Sequence, residues 1–130
     1  MSGVIVVDTS AIMSIGLDEA DAHKLLQILM QSERILMAAP SKLELGIVGI
    51  NRNIYPRAMQ LLDTFAVEVV AFDDALSIMA IKAFESYGKG RHKAALNFGD
   101  CCAYALAKSL GLPLLYKGDD FAQTDIASAI

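Results

Sequence analysis

The sequence predicts an α/β fold, a three-layer sandwich in which a mostly parallel central sheet of four to five strands is flanked by helices. Two observations predict it: short, uniformly apolar runs that suit strands buried on both faces, and amphipathic segments that alternate with those runs. At 130 residues and 14.0 kDa the chain has the size of one domain, and we expect a single domain over residues 1–130. A hydrophobic share of 55% excludes a disordered chain.

The predicted strands share a short apolar run bounded by charged or turn-forming residues. Such a run is shorter than an average helix and suits a strand that helices cover on both faces. In chain order these strands are residues 4–7, 35–38, 67–70 and 113–116. The remaining sequence leaves room for a fifth strand.

The predicted helices begin at capping residues or at proline and repeat apolar residues every three or four positions. Asp18 is the expected N-cap of the first, Asp73 or Asp74 caps a later one, and Gly111 ends the last. In chain order the helices cover about residues 18–30, 40–50, 56–65, 73–87 and 100–110.

Charge and composition exclude several functional classes. With 15 acidic and 11 basic residues the net charge is −4, so the chain lacks the overall basic excess that nucleic-acid binders usually carry. Charges or turn residues interrupt every long apolar stretch, and the N-terminus lacks the basic region of a signal peptide. We therefore expect no membrane span and a cytoplasmic protein in which Cys101 and Cys102 are reduced thiols.

Four carboxylates lie where strands end or helices begin. Asp8 follows the first strand and Asp119 follows the last. Glu44 lies near the start of the helix after the second strand, and Asp100 opens the last helix. Ligands of open α/β sheets bind beyond the carboxyl ends of the strands, so we expect these acids to converge there. Each acid taken alone also fits a plain role as a cap, a turn residue or a solvated helix position.

A converging set of acids predicts a metal site. Carboxylates within a few ångströms of each other repel, and a fold tolerates them when a cation neutralises their charge. Sites built only from oxygen ligands suit Mg²⁺ or Mn²⁺, and these ions activate water for the hydrolysis of phosphodiesters. The set of acids can hold one ion or two.

A basic segment precedes the predicted last helix. Its cations can contact a phosphate backbone beside the acids, although a solvated surface explains them equally well. The residues of this segment are Lys82, Lys89, Arg91, His92 and Lys93.

Three segments resemble PIN-domain proteins. VIVVDTSA (residues 4–11) resembles their N-terminal signature, and SKLELG (residues 41–46) resembles their second-acid motif. The segment GKGRHKAALNFGDCCAYALAKSLGLPLLYKGDDFAQTDI (residues 88–126) closely resembles the C-terminal half of VapC-type toxins from bacterial type II toxin–antitoxin pairs. The order and spacing of these motifs hold over nearly the whole chain.

The resemblance implies a PIN fold and an endoribonuclease that depends on Mg²⁺ or Mn²⁺, is inhibited by a cognate VapB-like antitoxin and is usually homodimeric. It implies that Asp8 and Asp100 ligate the metal and that Glu44 binds the metal or its water and helps to activate the nucleophile. The fourth acidic position often holds Asn in the family. We favour Asp119 there because it comes first after the strand, and Asp120 is the other candidate, otherwise a turn or cap residue.

Polar residues next to these acids are candidates for support. Thr9 or Ser10 is expected to hydrogen-bond a ligating carboxylate, although capping of the following helix explains them equally well. Asn97 precedes the helix that carries Asp100 and is expected to brace the loop.

Two other classes remain as alternatives. A response-regulator receiver domain shares the length, the parallel α/β fold, an acid pocket for Mg²⁺ and a lysine after the last strand, here Lys117. Receivers also need an acidic pair after the first strand, whereas Asp8 is followed by Thr9 and Ser10. A PIN-like module that binds without catalysis is the second alternative.

Overall fold

The computed structural model describes residues 3–130 and has helices on both faces of a four-stranded sheet. The strands are β1 Val4–Val7, β2 Arg34–Ala38, β3 Glu68–Val70 and β4 Leu114–Leu115. The helices are α1 Thr9–Gly16, α2 Ala22–Gln31, α3 Ala39–Asn51, α4 Tyr55–Thr64, α5 Asp74–Tyr87 and α6 Phe98–Leu110, and a 3₁₀ turn covers Phe121–Gln123. The predicted α/β sandwich is confirmed.

The sheet has the strand order β3-β2-β1-β4, and every pair within the described residues is parallel. The expected fifth strand is reduced to a single bridge beside β4. There the N–H of Leu114 donates to the carbonyl of Ala127, and the N–H of Ala129 donates to the carbonyl of Leu114. Because β1 is central, the residue after it lies in the middle of the carboxyl edge of the sheet.

Alternate strand residues pack into two separate cores. Val6 and Leu36 lie on the face covered by α5 and α6. Val7 and Met37 lie on the opposite face, against α1, α2 and α4. β1, β2 and β4 are therefore buried on both faces, which explains why their sequences are continuous apolar runs. The edge strand β3 is the exception, since Glu68 and Val69 are exposed.

The start of α2 differs from the prediction. Asp18 adopts a positive φ of 54°, so it lies in a left-handed turn and does not cap the helix. The helix begins at Ala22, and Asp21 occupies the N-cap position but makes no side-chain hydrogen bond to the helix. Instead, Oδ1 of Asp21 accepts a hydrogen bond of 2.5 Å from the hydroxyl of Ser14 in α1.

Other predicted helix ends are confirmed. Asp73 caps α5, since its carboxylate accepts a hydrogen bond of 3.0 Å from the N–H of Leu76. Gly111 follows α6 with a φ of 65°, the left-handed conformation in which glycine is favoured. None of the helices in residues 3–130 is long and apolar enough to cross a membrane.

The two cysteines are free thiols, and both are buried. The pKa of the Cys101 thiol is raised to about 11, mainly by burial and in smaller part by the nearby charge of Asp100. Burial also raises the pKa of Cys102. Both side chains therefore remain neutral thiols near pH 7 and act as small apolar groups.

Candidate active site

Asp8 lies at the centre of the carboxyl edge of the sheet and caps α1. Its Oδ2 accepts a hydrogen bond of 3.0 Å from the N–H of Ser10. Only 3% of the residue is exposed, and Oδ1 is buried without a hydrogen-bond partner. A buried, unpartnered carboxylate oxygen is unfavourable unless something else satisfies it, so Asp8 is a strong candidate for a ligand.

Asp100 lies in the first turn of α6, inside a capping box. Asn97 is the N-cap, and its side-chain oxygen accepts a hydrogen bond of 2.9 Å from the N–H of Asp100. Oδ2 of Asp100 in return accepts 3.0 Å from the N–H of Asn97. Asp100 is therefore the third residue of the helix and not its cap. Its position near the helix N-terminus also stabilises the ionised carboxylate, by up to about 1 kcal/mol.

Glu44 reaches the same edge from α3. The residue lies in the second turn of that helix and is half-buried. Its carboxylate lies against the backbone of Gly99, the residue that precedes Asp100 in α6. The packing of α3 on α6 thus brings the second and third predicted acids together.

The charges of these acids act on each other. The pKa of Asp8 is raised to about 7, mainly by burial and in smaller part by the charges of Asp100 and Glu44. The pKa of Asp100 is raised to about 6, mainly by burial and in smaller part by repulsion from Asp120 and Glu44. Asp8, Glu44 and Asp100, here called the acid cluster, are therefore near enough for their charges to interact, while their joint role as a site stays a prediction.

The turn after β4 carries the candidates for the fourth acid. Gly118 adopts a φ of 95°, and the exposed residues Asp119 and Asp120 follow it. Asp120 is the residue of this turn whose charge raises the pKa of Asp100. Asp119 as the fourth acid stays a prediction, and this repulsion favours Asp120 instead.

The donor atoms of the acid residues are of the type that a hard divalent cation prefers. The donor set consists of carboxylate oxygens, and one of them, Oδ1 of Asp8, is buried without a partner. Within residues 3–130, however, no three acidic, histidine or cysteine side chains are already grouped to hold one ion. The acids therefore share one edge of the sheet without forming a closed cage.

The neighbours of Asp8 have different roles from each other. The hydroxyl of Thr9 donates a hydrogen bond of 2.9 Å to the carbonyl of Ser41. It therefore joins the start of α1 to α3 and does not contact a carboxylate. Ser10 supports Asp8 through its backbone N–H. Its hydroxyl accepts 3.0 Å from the N–H of Lys117 after β4. The cap of α1 is Asp8 itself, not Thr9 or Ser10.

The predicted basic segment is divided between α5 and the following loop. Lys82 is on α5, and the guanidinium of Arg91 donates to a backbone carbonyl of the same helix. His92 is half-buried, and its ring stands edge-on to the ring of Tyr87 in α5 with 5.1 Å between the ring centroids. It therefore helps to pack the loop. Lys89 and Lys93 are exposed. A role of these residues in binding RNA stays a prediction.

An apolar groove lies beside the acids and was missed by the sequence reasoning. It consists of two adjoining cavities of about 550 Å³ and 590 Å³ that share Pro40, Phe72 and Phe98. Glu44 lines the second cavity, so the groove reaches the acid cluster. Phe98 is 81% exposed, which is unusual for so large an apolar side chain.

Comparison with known proteins supports the same family. The sequence matches the PIN domain family over residues 5–127. Ribonuclease VapC30 of Mycobacterium tuberculosis is 42% identical over 128 residues, which cover 95% of this chain and 97% of that protein. This chain belongs to the VapC family of PIN-domain proteins. The resemblance found in the sequence motifs is thereby confirmed.

Solved structures show the PIN fold of this VapC-family protein at low sequence identity. VapC20 of Mycobacterium tuberculosis, described as a sarcin–ricin loop cleaving toxin, aligns with a TM-score of 0.77 at 16% identity, covering 95% of this chain and 96% of that one. A toxin–antitoxin complex from Klebsiella pneumoniae aligns with a TM-score of 0.72 at 14% identity, covering 97% and 98%. The receiver-domain alternative is not favoured, and Lys117, on which it rested, forms an ion pair with Glu19 at 2.6 Å.

Proposed function

We propose that this VapC-family protein is an endoribonuclease that needs Mg²⁺ or Mn²⁺. The observation that carries the proposal is the convergence of Asp8, Glu44 and Asp100 at the carboxyl edge of the sheet, with Oδ1 of Asp8 buried and unpartnered. RNA as the substrate is supported by the relative VapC30, which is named a ribonuclease. Retention of all three acids argues against a module that only binds.

The carboxylates would divide the work according to their positions. Asp8 and Asp100 would hold the metal, because one offers an unpartnered oxygen and the other is held by its capping box. When bound, Mg²⁺ or Mn²⁺ neutralises charge on the phosphate and lowers the pKa of a water. Glu44, half-buried beside Gly99, would accept a proton from the attacking water. Asp119 or Asp120 adds a fourth oxygen ligand from the turn after β4.

Cleavage of labelled RNA tests this proposal. The purified chain, free of antitoxin, is incubated with labelled total RNA in Mg²⁺, in Mn²⁺ and in EDTA. The variant Asp100→Asn keeps a side-chain oxygen that can accept from the N–H of Asn97, so we expect it to fold. Discrete fragments that need metal and disappear in Asp100→Asn are the expected result. A folded wild-type chain that cleaves equally well in EDTA would refute the metal-dependent mechanism.

The apolar groove is the proposed docking site of a VapB-like antitoxin. The groove ends at Glu44, so an occupant would lie beside the acids and could block access of RNA to them. Its walls carry exposed apolar side chains, including Ile81 and Phe84 of α5. The relation to a toxin–antitoxin complex from Klebsiella pneumoniae supports an antitoxin as the occupant.

Homodimer formation is a further part of the proposal. On α3, Leu45 packs in the core, whereas Leu43, Ile47 and Ile50 are exposed. Leu43 and Ile47 line the apolar groove, but Ile50 is 61% exposed and lies outside the groove lining, so it is the residue left for a contact with a second copy. The measurement is the mass in solution of the wild-type chain and of Ile50→Glu, which we expect to shift the chain towards monomer.

A further inference from the structure

Lys117 is the second residue after the end of β4, and it is held at two points. Its backbone N–H donates 3.0 Å to the hydroxyl of Ser10 in α1. Its ammonium group lies 2.6 Å from Oε1 of Glu19 and 4.0 Å from Oδ1 of Asp21. Glu19 and Asp21 belong to the connection between α1 and α2. The segment that follows β4 is therefore attached to α1 and to the connection between α1 and α2.

The residues immediately after Lys117 form the acidic turn. Gly118 has a φ of 95°, and Asp119 and Asp120 are exposed to solvent. The negative charge of Asp120 is close enough to Asp100 to repel it. An exposed turn that carries two carboxylates is driven away from an acid cluster unless other contacts hold it in place.

Ser10 connects this turn to the first acid. Its backbone N–H donates to Oδ2 of Asp8 at 3.0 Å, while its hydroxyl accepts from the N–H of Lys117. One residue thus contacts both Asp8 and the beginning of the acidic turn. The position of the turn relative to Asp8 depends on the contacts of Lys117 with Ser10 and Glu19.

We propose that Lys117 is a positioning residue for the divalent-cation site: its ion pair with Glu19 holds residues 118–120 so that a carboxylate of the turn faces Asp8 and Asp100. The inference deepens the proposed metal-dependent function and rests on it. Lys117 does not contact the reacting atoms in this role. Its effect passes through the turn that it anchors.

The sign of the effect separates positioning from simple electrostatics. Removal of a positive charge near a cation site strengthens cation binding if only Coulomb forces act. Loss of the anchor lets the acidic turn move away and weakens binding. For Lys117→Met these two causes predict opposite changes in the affinity for Mn²⁺.

Loss of the ion pair should change folding stability little, which separates a positioning effect from unfolding. The Lys117–Glu19 pair is partly exposed, and exposed ion pairs contribute little to folding stability. A matched pair exists at the other end of the sheet, where Arg34 lies 2.6 Å from Glu68 between β2 and β3. Arg34→Met removes an ion pair of the same kind far from the acids and serves as the control.

The test is calorimetric titration of Mn²⁺ into the full chain and its variants, with circular dichroism to confirm folding. We expect Lys117→Met and Glu19→Gln to weaken Mn²⁺ binding by about tenfold, the lower end of the effect of losing a residue that orients a ligand. Lys117→Arg keeps the ion pair and should bind as the wild type does. Arg34→Met should also leave the affinity unchanged.

The double reversal Glu19→Lys with Lys117→Glu completes the design, because it restores an ion pair with the opposite polarity. Recovery of Mn²⁺ affinity supports positioning. Tighter or unchanged binding in Lys117→Met, or no loss in Glu19→Gln, overturns it. If wild-type protein cleaves RNA with metal while Lys117→Met binds Mn²⁺ normally, only the role of Lys117 fails. If wild-type protein binds no Mn²⁺, the proposed metal dependence fails with it.

Discussion

The backbone of Gly99 lies so close to the carboxylate of Glu44 that a Cβ atom at position 99 would be 2.6 Å from both carboxylate oxygens. Contacts shorter than 3.0 Å are essentially never made by Cβ atoms, so glycine is the residue that allows this approach. Glycine inside a helix costs roughly 1 kcal/mol relative to alanine. Through this close approach the carboxylate of Glu44 contacts the residue that precedes Asp100 in α6, so two of the acids lie near each other.

Substitution of Gly99 by alanine is therefore expected to harm activity more than folding. Glu44 has a flexible side chain that can move aside, and alanine favours the helix, so the melting temperature should stay the same or rise. Displacement of the carboxylate by about 1 Å should lower RNA cleavage by roughly 10- to 100-fold. The measurements are the cleavage rate in Mg²⁺ and thermal unfolding.

Gly46→Ala in α3 is the matched control for that variant. A Cβ atom at position 46 would lie 3.6 Å from the ring of Tyr55, which is an ordinary contact. We expect cleavage by Gly46→Ala to match the wild type. Equal activity of Gly99→Ala and the wild type would show that the position of Glu44 does not limit the reaction.

The stability of the metal-free protein should fall as the pH rises. The pKa is about 7 for Asp8 and about 6 for Asp100 in the folded chain, above the ordinary value near 4 for an unfolded chain. The folded state therefore keeps these protons where the unfolded state releases them. This contribution is complete below about pH 4 and is lost as the pH rises to about 7. Between pH 5 and pH 8 the expected loss is roughly 3 kcal/mol, mostly from Asp8.

Denaturant unfolding in EDTA at pH 5 and pH 8 measures this loss. Addition of Mg²⁺ should restore more stability at pH 8 than at pH 5, because the ion binds the ionised carboxylates. Asp8→Asn cannot titrate and should remove most of the pH dependence, whereas Asp63→Asn, at an exposed position of α4, should not. A metal-free wild type that is as stable at pH 8 as at pH 5 would contradict the burial of an ionisable Asp8.

Loss of the cap of α6 should affect both stability and the site. In Asn97→Ala the N–H of Asp100 loses its side-chain acceptor, which costs about 1 kcal/mol and lowers the melting temperature by roughly 3–5 °C. Asn97→Ser keeps a capping oxygen and should recover most of that loss. We expect cleavage to decrease in Asn97→Ala and to recover in Asn97→Ser. Unchanged melting of Asn97→Ala would mean that the capping box contributes nothing in solution.

Antitoxin binding should depend on which face of α5 is changed. Ile81 is 62% exposed and lines the apolar groove, whereas Ile78 on the same helix is 47% exposed and lies outside the lining. Ile81→Ser should weaken inhibition of cleavage by the cognate antitoxin about tenfold, as loss of one buried aliphatic side chain predicts. Ile78→Ser should bind the antitoxin normally. Equal effects of both variants would place the antitoxin elsewhere.

Much of the fold follows from local patterns. Residues 4–7 and 35–38 have apolar side chains on both faces, and only burial between two helical layers accommodates that pattern. The nearness of Asp8 and Asp100 was predictable because one directly follows a strand and the other lies at the start of a helix, and the carboxyl edge of a parallel sheet brings such residues together. The positions of these two acids follow from the strand or helix directly beside them in the sequence.

Other features depend on contacts between distant segments. Asp18 is a residue type that often caps helices, but it lies in a left-handed turn, and Asp21 at the N-cap position accepts a hydrogen bond from the hydroxyl of Ser14 in α1. Gly99 reads as an ordinary helix glycine until α3 is packed against α6. The ion pair of Lys117 joins segments that are far apart in the chain, and no local pattern announces it.

Binding of Mn²⁺, with RNA cleavage assayed on the same samples, tests most directly whether the acids at the carboxyl edge hold the ion on which activity depends. Asp100→Asn is compared with Asp74→Asn, which removes an acid from the first turn of α5 instead of α6. We predict that Asp100→Asn loses Mn²⁺ binding and cleavage together, while Asp74→Asn retains both. Wild-type levels of Mn²⁺ binding and cleavage in a folded Asp100→Asn would contradict the assignment of this edge as the active site.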